Sequence, residues 1–266
     1  MKKSVYLLFC LCLLAFSLTG CGAAEEKTEL TVFAAASMTE TLTEIGNAYM
    51  AENEDVSIVF NFDSSGTLKT QIEEGADCDI FVSASPKQMN QLDATAGGMD
   101  CVLAGTRFDM LENKVVLAVP EDNPAGIHSY EDLKAGLENG TVLLAMGNAD
   151  VPVGQYTQKI LQFFGLAEEE LVSAGVITYG SNAKEVTLQV AEGAVDCGIL
   201  YATDAHAAGL AVVDFATADM CGRVIYPAAV LNTTKNPDAA KAFTAYLQKD
   251  AAGAVFERAG FTVVEK

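Results

Sequence analysis

The chain has 266 residues, half of them apolar and one-fifth charged, with 36 acidic against 16 basic side chains and a net charge of −20. That length is enough for two modest lobes around a sizeable core. So acidic a chain excludes nucleic acid and anionic membrane surfaces as electrostatic partners.

The N-terminus stands apart. Lys2 and Lys3 precede an apolar run, Val5 to Leu18, that is too short to span a bilayer. Residues 1–20 therefore read as a secretory signal and are excluded from the fold. The run ends in Leu18-Thr19-Gly20-Cys21, which resembles a bacterial lipobox. That resemblance implies lipidation of Cys21, an anchor on the outer face of the cell membrane, and a tether over residues 21–28. An ordinary signal peptide cut near the same place is the alternative. Loss of residues 1–20 leaves 14 basic and 36 acidic side chains, a net of −22. Cys78, Cys101, Cys197 and Cys221 remain beyond the lipobox, and their spacing leaves three pairings open. No CxxC or Cys/His cluster points to zinc.

From residue 30 onward, strand-like and helix-like segments alternate. The strand-like runs are Leu30–Ala34, Val56–Phe62, Asp79–Ala84, Lys114–Val119, Thr141–Met146, Val176–Tyr179, Gly198–Tyr201, Ala211–Phe215 and Val224–Leu231. Several are almost wholly apolar, as for parallel strands covered on both faces. Met38, Leu42, Ile45 and Tyr49 recur at helical spacing, as do Tyr156, Ile160, Leu161 and Phe164. Residues 239–258 read as helix with a break near Asp250. The alternation gives an α/β fold with mainly parallel sheets, and the number of strands fits two sheets better than one. Such sheets bind ligands beyond the carboxyl ends of their strands.

Four strand–helix junctions carry small or hydroxyl residues: Ala34-Ala35-Ala36-Ser37, Asp63-Ser64-Ser65-Gly66-Thr67, Asp150-Val151-Pro152-Val153-Gly154 and Gly180-Ser181-Asn182-Ala183. A helix start exposes unpaired N–H groups and a partial positive charge, so it can hold an anion without lysine or arginine. A fully deprotonated tetrahedral oxyanion only accepts hydrogen bonds, and a pocket of N–H and O–H donors suits it. Structural capping explains each junction equally well. Ser37 with Glu40 has the spacing of a capping box, and Ser65, Asp150 and Asn182 are ordinary cap types. If Ser37 serves an anion, Glu40 is expected to leave the Ser37 N–H.

The segments "VFAAAS", "SSGTL", "DIFVSAS", "VPVGQY" and "GILYATDA", in that order, resemble the molybdate-binding proteins of bacterial ABC importers from Leu30 to the C-terminal "AGFTV". The resemblance implies a two-lobed, periplasmic-binding-protein-like fold of type II. Each lobe would be a mainly parallel sheet flanked by helices, with two crossover strands as hinge. Lobe 1 would take residues 29–113 and 227–266, and lobe 2 residues 114–226. It also implies capture of molybdate or tungstate for delivery to an ABC permease, with no cofactor and as a monomer. Its ligands would be Ser37 and Ser65 through hydroxyl and N–H, Val153 and Ala183 through N–H, and Tyr201 through its phenol. Gly66 stands where the family commonly has a further Ser, Val153 where it has Ala, and Ala183 where it has Val. Other receptors, for sulfate, thiosulfate or phosphate, remain alternatives. A phosphate site would need a carboxylate to accept the ligand's proton, with Asp63 nearest. An enzyme has little support: there is no GxSxG, HExxH or Walker motif, and His128 and His206 read as surface residues.

Overall fold

A computed structural model describes residues 27–264; the signal segment, Cys21 and the tether up to residue 26 lie outside the described residues. In chain order the strands are β1 (Thr28–Ala35), β2 (Val56–Asp63), β3 (Ile80–Val82), β4 (Phe108–Asn113), β5 (Val115–Val119), β6 (Leu144–Gly147), β7 (Ile177–Gly180), β8 (Cys197–Tyr201), β9 (Ala211–Phe215), β10 (Val224–Val230) and β11 (Thr262–Val263). The α-helices are α1 (Thr39–Glu52), α2 (Ser65–Glu73), α3 (Pro86–Leu92), α4 (Tyr130–Glu138), α5 (Pro152–Phe163), α6 (Glu168–Ser173), α7 (Ala183–Ala191), α8 (Ala202–Ala207), α9 (Ala218–Cys221), α10 (Pro237–Tyr246) and α11 (Asp250–Arg258).

Two sheets form. The first runs β11-β4-β10-β3-β1-β2 and the second β7-β6-β8-β5-β9. Each is parallel on one side and antiparallel on the other. β1 pairs parallel with β2 and β3, and β6 pairs parallel with β7 and β8. Antiparallel strands complete both sheets through β10 and β4 in the first and β5 and β9 in the second. The mixture follows from the chain crossing twice between lobes. β4 ends at Asn113 and β5 starts at Val115, in the other sheet, with only Lys114 between; the return crossing lies between β9 and β10. Val224–Tyr226 pair with Asn113, Glu112 and Leu111 of β4, so they belong to the first sheet and not to residues 114–226 of lobe 2.

The apolar runs are explained by burial on both faces. Leu30, Val32 and Ala34 of β1 pack with Met38, Leu42, Ile45 and Tyr49 from α1 and the turn before it. On the opposite face Phe33 packs with Leu68 and Ile72 of α2 and with Phe81 and Met89. The second lobe repeats the scheme, with Val116, Ala118 and Leu200 facing Val186 and Val190 of α7. The expected helix break near Asp250 is present, between α10 and α11. The sequence reading lacked β4 and β11. In β4 the polar Asp109, Glu112 and Asn113 interrupt the apolar pattern, and β11 has only two residues.

Among the described residues the four cysteines are free thiols; Cys78, Cys197 and Cys221 are buried and Cys101 is half-buried. Burial pushes the Cys78 thiol up to about 12 and raises the other three. A chain starting after Cys21 is therefore expected to expose at most one fast-reacting thiol, Cys101, to Ellman's reagent when native, and four in denaturant. Two or fewer in denaturant without reductant would reveal a disulfide instead.

Candidate functional site

The four junctions differ in how they start their helices. After β1 the chain makes a 3-10 turn, Ala36–Met38, before α1 begins at Thr39. The tight turn moves the helix start two residues beyond Ser37, so the expected capping box does not form. Instead the Ser37 hydroxyl lies 3.0 Å from the Tyr226 hydroxyl. The Glu40 carboxylate is directed away from the turn and accepts from Lys184 Nζ at 2.7 and 2.9 Å.

At the second junction the cap is Ser64 and not Ser65: its hydroxyl accepts from the Thr67 N–H at 3.1 Å. Ser65 is thus the first residue of α2. It is fully buried, and its Oγ accepts the Ala84 N–H at 2.9 Å. At the third junction Asp150 does not cap. Its N–H donates to Asn148 Oδ1, and Val151, with no side-chain cap bond, precedes α5. Pro152 opens α5 and has no N–H, so Val153 supplies the first N–H of that helix. At the fourth, Asn182 does cap α7, accepting from the Glu185 N–H at 3.0 Å, and Ala183 is the first helical residue. Tyr201 ends β8.

These points meet at the seam between the lobes. Tyr226 of β10 bonds Ser37 and stands edge-on to Tyr201, with ring centroids 5.7 Å apart. Lys184, next to Ala183, spans from lobe 2 to Glu40 of lobe 1. A Cβ on Gly66 would sit 2.1 Å from the Asp150 carbonyl oxygen, so the second and third junctions touch as well. Glycine at 66, where serine was the family expectation, follows from that contact. Ser37, Ser65, Val153, Ala183 and Tyr201 are all buried.

Tyr226 and Asn113 escaped the sequence reading. Asn113 Nδ2 donates to Tyr226 Oη at 3.3 Å and to Thr203 Oγ1 at 3.0 Å. No motif marks either residue; only the pairing of β4 with β10 brings them together.

The electrostatics of the seam are uneven. Burial, with Tyr226 beside it, holds the Tyr201 phenol well above its ordinary value, and among the described residues its hydroxyl has no hydrogen-bond partner. Asp204 of α8 is buried, and desolvation pushes it up to about 6 against the pull of Lys184, whose Nζ is 3.3 Å away. Burial by itself would lower Lys184, but the charge of Asp204 and the bonds to Glu40 outweigh it and raise it. Among the described residues no group of three or more His, Cys, Asp or Glu could hold a metal ion.

Residues 30–262 match the family model for bacterial extracellular solute-binding proteins. The chain belongs to that family. It is 33% identical over 97% of its length to YvgL of Bacillus subtilis, assigned as a substrate-binding lipoprotein of an ABC transporter, and covers 98% of it. It is 33% identical over 88% of its length to the molybdate-binding protein ModA of Haemophilus influenzae, covering 90% of that protein. The fold matches the periplasmic molybdate-binding protein of Azotobacter vinelandii with a TM-score of 0.75 at 24% identity, covering 89% of this chain and 100% of that one. Members of this family bind solutes and are not enzymes. His128 and His206 are exposed here, and no helix among the described residues is long and apolar enough to cross a membrane.

A large open cavity of about 800 Å³ lies along the seam of this solute-binding protein, lined in part by Ser85, Lys87, Tyr156, Lys159 and Arg223. None of the five expected ligand residues lines it, and all five are buried.

Two expectations follow. Gly66→Ala places a methyl against the Asp150 carbonyl, so the lobes cannot close fully; solute affinity should fall about tenfold or more, while the ligand-free melting temperature changes little. Isothermal titration and calorimetry check both, and unchanged affinity would mean that the Gly66 contact is not part of closure. Asp204 has a folded-state pKa raised from 3.8 to about 6. The folded state therefore holds the extra proton in that window, and stability is lost as pH rises through it. Asp204→Asn should remove this loss, so its melting temperature relative to wild type should be more favourable at pH 7 than at pH 4.

Proposed function

We propose that the seam binds molybdate or tungstate outside the cytoplasm and delivers it to an ABC import permease. The observation that carries this reading is the buried, unpartnered Tyr201 hydroxyl beside Ser37, in a seam of helix starts without a metal-binding cluster. A dianion would accept hydrogen bonds from the Tyr201 and serine hydroxyls and from the first N–H groups of α2, α5 and α7, at Ser65, Val153 and Ala183. The relationship to ModA proteins supports molybdate as the solute. Local donors decide affinity, because the remote acidic surface is partly screened by salt. Asp63, the carboxylate a phosphate site would call on, spends Oδ1 on the Ser64 N–H at 2.7 Å. The lipobox-like Cys21 and the relationship to YvgL support anchoring by lipid at the outer face of the membrane. The protein would act there as a monomer.

The test is thermal. The soluble chain starting after Cys21 is titrated with molybdate, tungstate, sulfate, phosphate and chloride. At a hundredfold excess over Kd a ligand adds about 2.7 kcal/mol of stability. For a chain of this size that raises the melting temperature by roughly 5–10 °C. The shift is expected for molybdate and tungstate only. An equal shift with sulfate would make this a general oxyanion receptor, a shift with phosphate alone a phosphate receptor, and no shift with any oxyanion would overturn the reading.

A further inference from the structure

We propose that Asn113 and Tyr226 form a directional hydrogen-bond relay that makes the Ser37 hydroxyl a donor toward the cleft, and so selects oxyanions that carry no proton. The inference rests on the oxyanion reading of the seam and names the residues that set its selectivity.

The direction is fixed at Asn113. Its Oδ1 accepts the Lys114 N–H at 2.8 Å, which settles the amide orientation. Its two Nδ2 hydrogens then go to Thr203 Oγ1 at 3.0 Å and Tyr226 Oη at 3.3 Å. An amide has no further hydrogen to give. Tyr226 is fully buried, and besides Asn113 its hydroxyl has one partner among the described residues, Ser37 Oγ at 3.0 Å. If Ser37 donated to it, the phenolic proton would be buried without an acceptor, a penalty of the kind proteins avoid. The phenol therefore donates to Ser37 Oγ. The serine's own proton is left to point elsewhere, and the cleft is where the oxyanion would lie.

Ser65 reaches the same polarity by a different route. Its Oγ accepts the Ala84 N–H, which leaves its proton free as well. Each hydroxyl thus has one lone pair engaged by the protein, and its proton is the group it can turn to the cleft. Against a bare dianion that arrangement is complementary. Hydrogen phosphate sets its P–OH against an outward-turned serine proton, so either the serine gives up its donation or the P–OH goes unsatisfied, which is discrimination by an unsatisfied donor.

Two variants test the relay at pH 8, where phosphate keeps one proton and molybdate none. Tyr226→Phe removes the proton that pins Ser37, so the serine can turn and accept. Its molybdate affinity should fall about tenfold, and its preference for molybdate over hydrogen phosphate should narrow by about tenfold beyond that. Asn113→Asp replaces the amide donor with an acceptor. Tyr226 then donates to the carboxylate and accepts from Ser37, and the serine presents lone pairs to the anion; molybdate binding should fall about a hundredfold or more. In the Tyr226→Phe background the same Asn113→Asp change should cost far less, since only the added charge remains.

Ligand-free melting curves check that each variant folds, and if Asn113→Asp does not, the selectivity of Tyr226→Phe decides. A merely structural role would weaken both anions alike and leave the preference unchanged, which would overturn the relay. So would Asn113→Asp binding molybdate within threefold of wild type. A wild-type chain that binds neither anion would overturn the oxyanion reading itself, whereas a wild type that binds molybdate beside a Tyr226→Phe variant of unaltered preference would overturn the relay alone.

Discussion

An anion approaching a chain of net charge −20 meets repulsion from most of its surface, and the site proposed at the seam between the lobes would answer with hydrogen atoms in place of cations. Backbone N–H groups at helix starts cost nothing to desolvate beyond what folding has already spent, and they carry the helix dipole with them. Hydroxyls are different, because each can point a proton or a lone pair at the ligand. Their usefulness to a dianion depends on the protein engaging a lone pair, so that the proton is the group turned outward. Ala84 does this for Ser65, and in the relay proposed above Tyr226 does it for Ser37. Around these hydroxyls Asn113 is held by its own neighbour's N–H, and Tyr226 is buried with its hydroxyl bonded to Asn113 and Ser37.

Lys184, which reaches across the seam, is spent on carboxylates. Lys184 bonds Glu40 of lobe 1 and lies beside Asp204 of its own lobe. Glu40 is largely exposed, and exposed ion pairs contribute at most about 1 kcal/mol. The pair is too weak to hold the lobes together by itself, so it acts as a bias. Asp204 is the stronger influence, but of opposite sign: a buried carboxylate that keeps its charge poorly. Its cost is tolerated because it offers Lys184 a partner within lobe 2 when the bond to Glu40 is broken. Close approach of the lobes is limited elsewhere, at Gly66, where the backbone of one lobe meets the Asp150 carbonyl of the other.

Much of this architecture was legible in the sequence. Strands buried on both faces announce themselves as unbroken apolar runs, and β1, β5 and β8 did so. The junctions were legible as small-residue stretches, but their local chemistry was not. A capping box at Ser37 and a 3-10 turn that skips Ser37 have the same sequence, and the choice between them depends on Tyr226, 189 residues away. Ser64 and Ser65 are equally good cap types, and only the Ala84 N–H, arriving from β3, assigns one to the helix and the other to the seam. Strand β4 was hidden because Asp109, Glu112 and Asn113 look like a loop; one of those polar residues, Asn113, is buried at the crossing between lobes.

In the proposed relay the position of Asn113 and Tyr226 would tie selectivity to movement. Asn113 is the last residue before the first crossing, and Tyr226 lies just after the second. A hinge motion is absorbed by φ/ψ changes at a few such residues. Any change there that pulls the Lys114 N–H from Asn113 Oδ1 frees the amide to turn, and with it the polarity of Tyr226 and Ser37. The donor pattern suited to a dianion would then be complete only when the crossing strands adopt the geometry of the closed lobes. In that arrangement closure would do more than exclude water: it would set the orientation of the protons that the anion meets.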